Sequence, residues 1–429
     1  MKDKNAKKND VLKRARKRFT PALVFHTDIV VKKASGIYVE GMDGKTYMDF
    51  SSGLATANLG HCPAEVVAAA KAQTENLIHS GCIFYYPSEV ELAERLARIT
   101  PDGIDMFFFS NSGAEAVEGA IKLARYETGR QGIIAFTPSF HGRTMGALTL
   151  TSSTARYRKN YHPLLPSVYH SPYPYCYRCP MGKNRASCSI DCFDFLKRIL
   201  RYQIDSTEVA CVIIEPVLGE GGYVVPPADF MKKLRELCTE KGILLIADEV
   251  QSGMGRTGRW FACEHFGIKP DIITIAKGIA SGFPLSAVGS TEKIMSNWSP
   301  GAHGTTFGGN PVSCAAACAT IDRIEREDIL KNAASVGEYA FMRLKALQEE
   351  DNSIGDVRGL GLMIGIELVK KDGNPDGETL KKVTKKCLEN GLILIECGVD
   401  RNIARLMPPL ITKKPEIERA LDILEEALV

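Results

Sequence analysis

Two stretches of sequence decide the fold, ILLIADEVQ at residues 243–251 and IITIAKG at residues 272–278. Each begins as a short apolar run and ends in polar residues, a pattern typical of strands that are buried on both faces of a mostly parallel sheet. Neighbouring parallel strands end at the same edge of such a sheet, which is where ligands bind. We therefore expect Asp248 and Lys277, which follow the two runs, to face one crevice.

Apolar runs alternate with helical stretches on both sides of these segments. Strand candidates are Met106–Phe109, Ile133–Phe136, Val209–Ile214, Ile243–Ala247, Ile272–Ile275 and Leu285–Val288, and helices are predicted at 114–127, 193–204 and 228–241. This order predicts a large α/β domain at residues 60–310. Residues 1–59, which include a hairpin pattern at 37–48, and residues 311–429 are predicted to form a smaller α+β domain.

The composition excludes several classes of protein. The chain has 429 residues, of which 45% are hydrophobic and 24% charged, values that are ordinary for globular domains. The net charge of +3 divides into +7 in residues 1–18 and −4 in the remainder, so the body is not a basic nucleic-acid-binding surface. We expect the basic tail to be frayed and solvated. Residues 1–18 contain no apolar stretch typical of a secretory signal, and no run of about 18 apolar residues occurs, so we expect a cytoplasmic protein without a membrane span.

The cysteines are unusual in number, and four of them are clustered. The odd count of 13 in a long chain predicts a reducing compartment rather than a disulfide scaffold. Cys176, Cys179, Cys188 and Cys192 fall within 17 residues. Four thiolates at such spacing can hold a structural zinc ion or an iron–sulfur cluster. A reduced loop and a pair of disulfides remain open as alternatives.

Lys277 and Asp248 together indicate a specific cofactor chemistry. A partly desolvated lysine can lose its proton and form a C=N bond with a carbonyl. An aspartate can hold the proton of a pyridinium ring, which turns the ring into an electron sink. Either residue alone would also fit an ordinary strand end.

A phosphate-binding turn completes this set. Ser112 and Gly113 follow a strand candidate and open a predicted helix, whose N-terminal amides can bind a phosphate ester. A serine at a helix N-terminus is common and carries little weight by itself. The turn, the lysine and the aspartate together describe a site for pyridoxal 5′-phosphate (PLP).

From about Val31 to its C-terminus, the chain resembles the class III, ω-amino-acid type, aminotransferases of PLP fold type I, such as 4-aminobutyrate and acetylornithine aminotransferases. The matching segments are DGKTYMDF (43–50), NSGAEA (111–116), FHGRT (140–144), IEP (214–216), GEGG (219–222), DEVQ (248–251), AKG (276–278), TTFGGNP (305–311) and RLMPP (405–409). The resemblance implies an α/β fold in which the large domain has a mostly parallel seven-stranded sheet and both termini build the smaller α+β domain.

The resemblance also implies roles for matching residues. Lys277 would bond to the cofactor and carry a proton between the substrate Cα and the cofactor C4′, and Asp248 would pair with the pyridine nitrogen. Further cofactor contacts would come from Ser112, Gly113, Ala114, Phe140, His141, Glu215, Val250, Gln251 and Thr306. Thr306 would reach the phosphate of a neighbouring subunit, which implies a homodimer or a dimer of dimers.

Substrate binding is implied at five positions. Arg143 and Arg405 match two arginines of the family, and a guanidinium binds a carboxylate bidentately. Glu220 matches the acid that covers Arg405 while an ω-amine enters and then releases it for an α-carboxylate. Thr305 is also expected in this site. Leu54 stands where ornithine-using relatives carry an aromatic residue and 4-aminobutyrate-using relatives an aliphatic one, which favours an acyclic ω-amino acid.

The expected reaction moves an amino group from an ω-amino acid such as 4-aminobutyrate to a keto acid, 2-oxoglutarate, by a ping-pong mechanism. Amino-acid racemases and epimerases of the same family share the cofactor residues and remain an alternative. A non-catalytic PLP-binding protein is a third possibility, which the intact Lys277 disfavours. The expected partners are amino acids, keto acids and a second copy of the chain, without nucleic acid or membrane.

Overall fold

The N-terminal part of the chain forms a surface helix, a three-stranded meander and further helices. The computed structural model describes residues 2–429, without the side chains of residues 2–5. The first elements are α1 (Lys2–Arg18), β1 (Val31–Ser35), β2 (Tyr38–Gly41), β3 (Thr46–Asp49), the single turn α2 (Ser52–Ala55), α3 (Ala64–Asn76) and α4 (Pro87–Ile99). Strands β2 and β3 pair in an antiparallel hairpin, as the sequence pattern predicts.

The basic tail forms helix α1, whereas we expected a frayed segment. Lysine, arginine and alanine, which dominate this stretch, are good helix formers. Arg14 also pairs with Asp10 one turn earlier on the helix, at 3.1 Å. Lys8 reaches Asp43 in the β2–β3 turn at 3.3 Å. Most of its described side chains, from residue 6 onward, are exposed, and the segment has regular structure.

A seven-stranded sheet forms the centre of the large domain. Its strands are β4 (Met106–Ser110), β5 (Gly132–Thr137), β6 (Val168–Pro172), β7 (Val209–Ile214), β8 (Leu244–Asp248), β9 (Ile272–Ile275) and β10 (Ser286–Ser290). Their spatial order is β4-β10-β9-β8-β7-β5-β6. Strand β10 runs antiparallel to both neighbours, and the remaining pairings are parallel. This arrangement confirms the predicted mostly parallel seven-stranded sheet.

Both faces of this sheet are covered by helices. The covering elements that follow β4 in the chain include α5 (Gly113–Thr128), α6 (Met145–Leu150), α7 (Asp191–Tyr202), α8 (Ala228–Lys241) and α9 (Glu292–Ser296). Ile133 packs in a core with residues of α5 and α6, while its neighbour Ile134 packs in the opposite core with residues of α7 and α8. Since successive strand residues point to opposite faces, the apolar runs are explained by burial on both sides.

The C-terminal part adds a second core that the N-terminal strands share. Its elements are α10 (Pro311–Arg326), α11 (Ile329–Glu350), β11 (Ile354–Leu360), β12 (Met363–Leu368), α12 (Gly377–Glu389), β13 (Leu392–Ile393), β14 (Ile395–Cys397), β15 (Ile403–Leu406) and α13 (Lys414–Leu428). Leu392 of β13 pairs in parallel with Met48 of β3. Phe50, Ile366 and Leu421 belong to the same buried cluster. The division into 1–59, 60–310 and 311–429 stays a prediction.

Within residues 2–429, none of the helices has the length and apolar character needed to cross a bilayer.

Candidate active site

Asp248 ends β8 in the interior of the protein, with 3% of its surface exposed. The register of β8 and β9 places it beside Thr274. The Thr274 hydroxyl donates a hydrogen bond of 3.0 Å to one carboxylate oxygen, and the backbone N–H of Val250 donates another of 3.1 Å. We did not predict Thr274 from the sequence, although the pairing of two adjacent strand ends is the pattern that would have found it.

His141 contacts the other oxygen of this carboxylate. Its Nδ1 lies 2.7 Å from Oδ2 of Asp248, so this nitrogen carries the proton that it donates. Burial disfavours the charged imidazolium, but the hydrogen bond to Asp248 and the negative charges of Asp248 and Glu215 outweigh burial and raise the pKa of His141. The carboxylate of Asp248 is thereby surrounded by donors that stabilise its negative charge.

Lys277 follows β9 and lies near the same carboxylate. Burial disfavours its charged ammonium and lowers the pKa of Lys277 to about 8, although the charges of Asp248 and Glu215 oppose this shift. Its backbone φ of 48° is in the left-handed region, so the chain turns sharply directly after the strand. A lysine with this pKa is partly uncharged near neutral pH and can act as a nucleophile or as a base.

Glu215 connects two loops at the edge of the sheet. One carboxylate oxygen accepts the backbone N–H of Phe140 at 2.9 Å, and the other accepts that of Gly219 at 2.9 Å. Burial raises the pKa of Glu215 to about 7. The side chain therefore fixes the positions of both loops beside Lys277.

The N-terminus of α5 approaches the end of β8 closely. A Cβ atom on Gly113 would lie 2.7 Å from Cγ1 of Val250, so a larger residue could not occupy this position without a shift. Ser112 caps the helix by accepting the backbone N–H of Glu115 at 3.3 Å. The first amides of a helix have no partner within the helix and can bind an anion there.

These residues fit PLP. The buried Oε1 of Gln251 has no hydrogen-bond partner among the residues that the structure describes, and the same is true of Nε2 of His141. Unpartnered buried polar atoms are rare in folded proteins, and a polar group bound in the crevice would satisfy them. The backbone amide of Gly113 could bind the phosphate of PLP. Asp248 could provide a negative charge beside the pyridinium nitrogen, and Lys277 could provide an amine for the aldehyde.

A pair of charged residues, one from each part of the chain, lies near Lys277. Nη1 of Arg405, on β15, donates to Oε2 of Glu220 at 2.8 Å, and Nη2 donates to the carbonyl of Glu396 at 2.9 Å. Burial opposes its charge, but the neighbouring Glu220 outweighs burial and raises the pKa of Arg405. The arginine is therefore charged and covered by a carboxylate.

Arg143 is connected to the Arg405–Glu220 pair by Tyr157, a residue that we did not predict at the site. The guanidinium of Arg143 stacks on the ring of Tyr157 at 3.8 Å. The Tyr157 hydroxyl donates to Oε1 of Glu220 at 3.1 Å. Tyr157 ends a single 3-10 turn (Ala155–Tyr157) in the connection between α6 and β6, and no motif or period in the sequence singled it out.

Three further residues that we expected at the site are exposed or half-buried in the protein. Leu54 is 50% exposed and adopts a φ of 67°. The Thr305 hydroxyl accepts the N–H of Gly308 at 3.0 Å. Thr306 is exposed.

The four clustered cysteines, Cys176, Cys179, Cys188 and Cys192, line one small cavity. The other residues that line it are Pro174, Tyr175, Pro180, Arg185, Ile190 and Pro227. Within residues 2–429, no group of three or more histidine, cysteine or acidic residues is placed to hold a metal ion. The thiol of Cys188 donates to Asp191 at 3.2 Å, and burial raises the pKa of Cys192 to about 12. Because the described residues offer no such group, the zinc or iron–sulfur prediction is not supported.

The fold and the site define an enzyme of PLP fold type I. Residues 21–428 match the family Aminotransferase class-III, and the chain belongs to this family of PLP-dependent transaminases.

Similar proteins cover nearly the whole chain. A leucine/methionine racemase of Thermococcus litoralis is 42% identical over 98% of this chain and 96% of its own length. A 4-aminobutyrate aminotransferase of Mycobacterium leprae is 40% identical over 93% of this chain and 91% of its own. The crystal structure of a Bacillus anthracis aminotransferase matches with a TM-score of 0.92 and 33% identity, over 99% of this chain and 98% of that one.

Proposed function

We propose that this protein transfers an amino group from an ω-amino acid, such as 4-aminobutyrate, to 2-oxoglutarate. The observation that supports this most is the 2.8 Å contact between Arg405 and Glu220 close to the exposed guanidinium of Arg143. Arg143 is free to bind the carboxylate that lies far from the transferred amine. While an ω-amino donor without an α-carboxylate is bound, Glu220 stays paired with Arg405. When Glu220 moves away, Arg405 can bind the α-carboxylate of 2-oxoglutarate. The name of the Mycobacterium leprae relative agrees with such a donor.

In this proposal, residues of the chain hold the cofactor at its phosphate, at its phenolic oxygen and on both faces of its ring. The amides of Gly113 and Ala114, next to Ser112, bind the phosphate. Gln251 binds the phenolic oxygen. Phe140 and Val250 pack against the two faces of the ring.

Each charged residue of the crevice then has one task. When bound, PLP supplies an electron sink for negative charge that develops at the substrate Cα. Asp248 keeps a proton on the ring nitrogen, and His141 holds Asp248 in place. Lys277, in its uncharged form, would accept the proton from the substrate Cα and deliver it to C4′ of the cofactor. The pKa near 8 leaves a useful fraction of this base uncharged at neutral pH.

A racemase is the second candidate, because the Thermococcus litoralis relative bears that name. Racemisation needs the same cofactor residues, but the proton returns to the opposite face of Cα and no keto acid takes part. The covered Arg405 favours transamination, since a racemase handles only one kind of substrate and needs no switch between two.

A screen of amino donors separates the two functions. The holoenzyme is incubated with 4-aminobutyrate, 5-aminovalerate and the common L-amino acids, with and without 2-oxoglutarate, and the products are resolved by chiral chromatography. We expect glutamate to form from an ω-amino donor only when 2-oxoglutarate is present. Formation of a D-amino acid from its L form without keto acid would overturn the proposal. Lys277→Ala protein is the control for background reaction.

We further propose a cytoplasmic homodimer in which Thr306 of one subunit contacts the cofactor of the other. All 13 cysteines are unpaired in the described chain, which agrees with a reducing compartment. The exposed Thr306 lies beside Phe307, which is 60% exposed, and its carbonyl lies close to Gly81, which opens a segment that includes Tyr85, 99% exposed. Large exposed aromatic side chains mark interaction surfaces.

Mixed dimers test this arrangement. Lys277→Ala and Thr306→Ala chains are unfolded together and refolded as a mixture. If Thr306 acts across the interface, each mixed dimer contains one intact site, and its activity exceeds that of either parent. Activity no higher than that of the Thr306→Ala parent would contradict the arrangement.

A further inference from the structure

Tyr157 touches both elements that recognise carboxylates. One face of its ring supports the Arg143 guanidinium at 3.8 Å, and its hydroxyl donates to Glu220 at 3.1 Å. Glu220 uses its other oxygen to bind Arg405 at 2.8 Å. A single side chain therefore links the free arginine to the covered one.

The surroundings hold this side chain in a defined orientation. The ring of Phe140 meets that of Tyr157 edge-on, with centroids 5.8 Å apart and an interplanar angle of 79°. Burial and the nearby Glu220 raise the pKa of Tyr157, so the phenol keeps its proton and acts as a donor. Because Glu220 is an anion, this is a charge-assisted hydrogen bond, which is stronger than one between neutral groups.

The hydrogen bond favours one of two states of the site. Glu220 accepts from Tyr157 in the conformation that also covers Arg405. When Glu220 moves away to admit a second carboxylate, the contact with Tyr157 is lost together with the ion pair. The phenol therefore stabilises the covered state relative to the open state, and the ring supports Arg143 in both.

We infer that Tyr157 is a specificity-determining positioning residue that holds Glu220 over Arg405 and supports Arg143, and so sets the balance between monocarboxylate and dicarboxylate ligands. The inference rests on the proposed function, because only a transferase with two kinds of substrate needs this balance. Tyr157 itself need not touch the reacting atoms.

Binding of two simple acids tests the inference without any turnover. Glutarate can span both arginines, whereas pentanoate has the same length and only one carboxylate. Their dissociation constants are measured from the absorbance change of the PLP-loaded protein. Tyr157→Phe keeps the ring and removes the hydroxyl, Tyr157→Leu removes both, and Tyr161→Phe, an exposed tyrosine of the same segment, is the matched control.

We expect Tyr157→Phe to bind glutarate about 10-fold more tightly, since the covered state loses a hydrogen bond to a charged group, and to bind pentanoate as the wild type does. Tyr157→Leu should in addition weaken pentanoate by about 3-fold or more through the loss of the cation–π contact. An equal change in both acids for Tyr157→Phe, or no change in either, would overturn the inference.

The same proteins separate this inference from the proposed function. If the wild type transfers amino groups to 2-oxoglutarate but Tyr157→Phe binds glutarate no more tightly, only the inference fails. If glutarate binding shifts as expected but no keto acid accepts an amino group, only the proposed function fails. In turnover, Tyr157→Phe should lower the KM for 2-oxoglutarate and leave that for the ω-amino donor unchanged.

Discussion

Nδ1 of His141 and Oδ2 of Asp248 lie 2.7 Å apart, and both side chains are buried. Burying a charged carboxylate is unfavourable unless donors surround it, and here His141, Thr274 and a backbone amide do so. The charge of Asp248 is thus maintained at a position where a neutral residue would be easier to accommodate. The negative charge of Asp248, more than the shape of its side chain, is therefore the property that a substitution should test.

Asp248→Asn keeps the shape and removes the charge. We expect kcat to fall by about 10- to 100-fold, which corresponds to the loss of one hydrogen bond to a charged group. The measurement is kcat at saturating PLP and substrates, with the absorption spectrum of the bound cofactor recorded in parallel. Asp102→Asn, at a carboxylate that is 90% exposed, should leave kcat unchanged. An Asp248→Asn enzyme with wild-type kcat would contradict the assigned role.

The pKa of Lys277 predicts how the apoprotein takes up its cofactor. Only the uncharged amine attacks the PLP aldehyde, so the rate of incorporation should rise with pH, reach half its maximum near pH 8 and then level off. Incorporation is followed by absorbance and by mass spectrometry after borohydride reduction. An ordinary lysine would give a midpoint more than two pH units higher, and such a result would show that burial does not activate Lys277. Lys277→Arg should not incorporate PLP covalently.

Replacing Arg405 should impair the reaction with 2-oxoglutarate much more than the reaction with the ω-amino donor. For Arg405→Gln we expect kcat/KM for 2-oxoglutarate to fall by about 10- to 100-fold, because a charge-assisted contact to the α-carboxylate is lost. The half-reaction with an ω-amino donor, measured by stopped-flow absorbance, should change far less. Glu220→Gln/Arg405→Gln is the control in which no carboxylate is left without its partner. Equal losses in both half-reactions would indicate damage to the fold instead.

The close approach of Gly113 to Val250 predicts a pair of compensating substitutions. Gly113→Ala introduces a Cβ about where the Val250 side chain lies, and overpacking of this kind costs about 1–3 kcal/mol. We expect a lower Tm and weaker PLP binding, and a partial recovery of both in Gly113→Ala/Val250→Ala. Gly304→Ala, at a glycine whose Cβ would meet nothing within 4 Å, is the control. A double variant no better than Gly113→Ala would contradict this explanation.

The buried strands of the fold were predictable because each combines an uninterrupted apolar run with polar ends. The bounds of β7 and β9 agree with the prediction at both ends. Strand β6 was missed because His170 and Ser171 interrupt its apolar pattern at the edge of the sheet. Strand β15 was missed because Arg405, in its centre, looks like a surface residue in the sequence.

The site shows the same division. The proximity of Asp248 and Lys277 could be predicted because parallel strands bring their ends to one edge. The role of Tyr157 could not be predicted, because its contacts with Arg143 and Glu220 depend on the path of the connection between α6 and β6. The covering of Arg405 likewise depends on Glu220, which lies 185 positions away in the sequence.

The pairing of β3 with β13 has a consequence for synthesis on the ribosome. Met48 leaves the exit tunnel long before Leu392, its partner about 340 residues later, has been translated. At a translation rate of about 5–20 residues per second, the β2–β3 hairpin lacks its β13 partner for roughly 20–70 s. During that time Ile37, Met48 and Phe50, which are buried in the finished protein, have no C-terminal residues to pack against. The nascent chain therefore presents an apolar surface until the last strands have been translated.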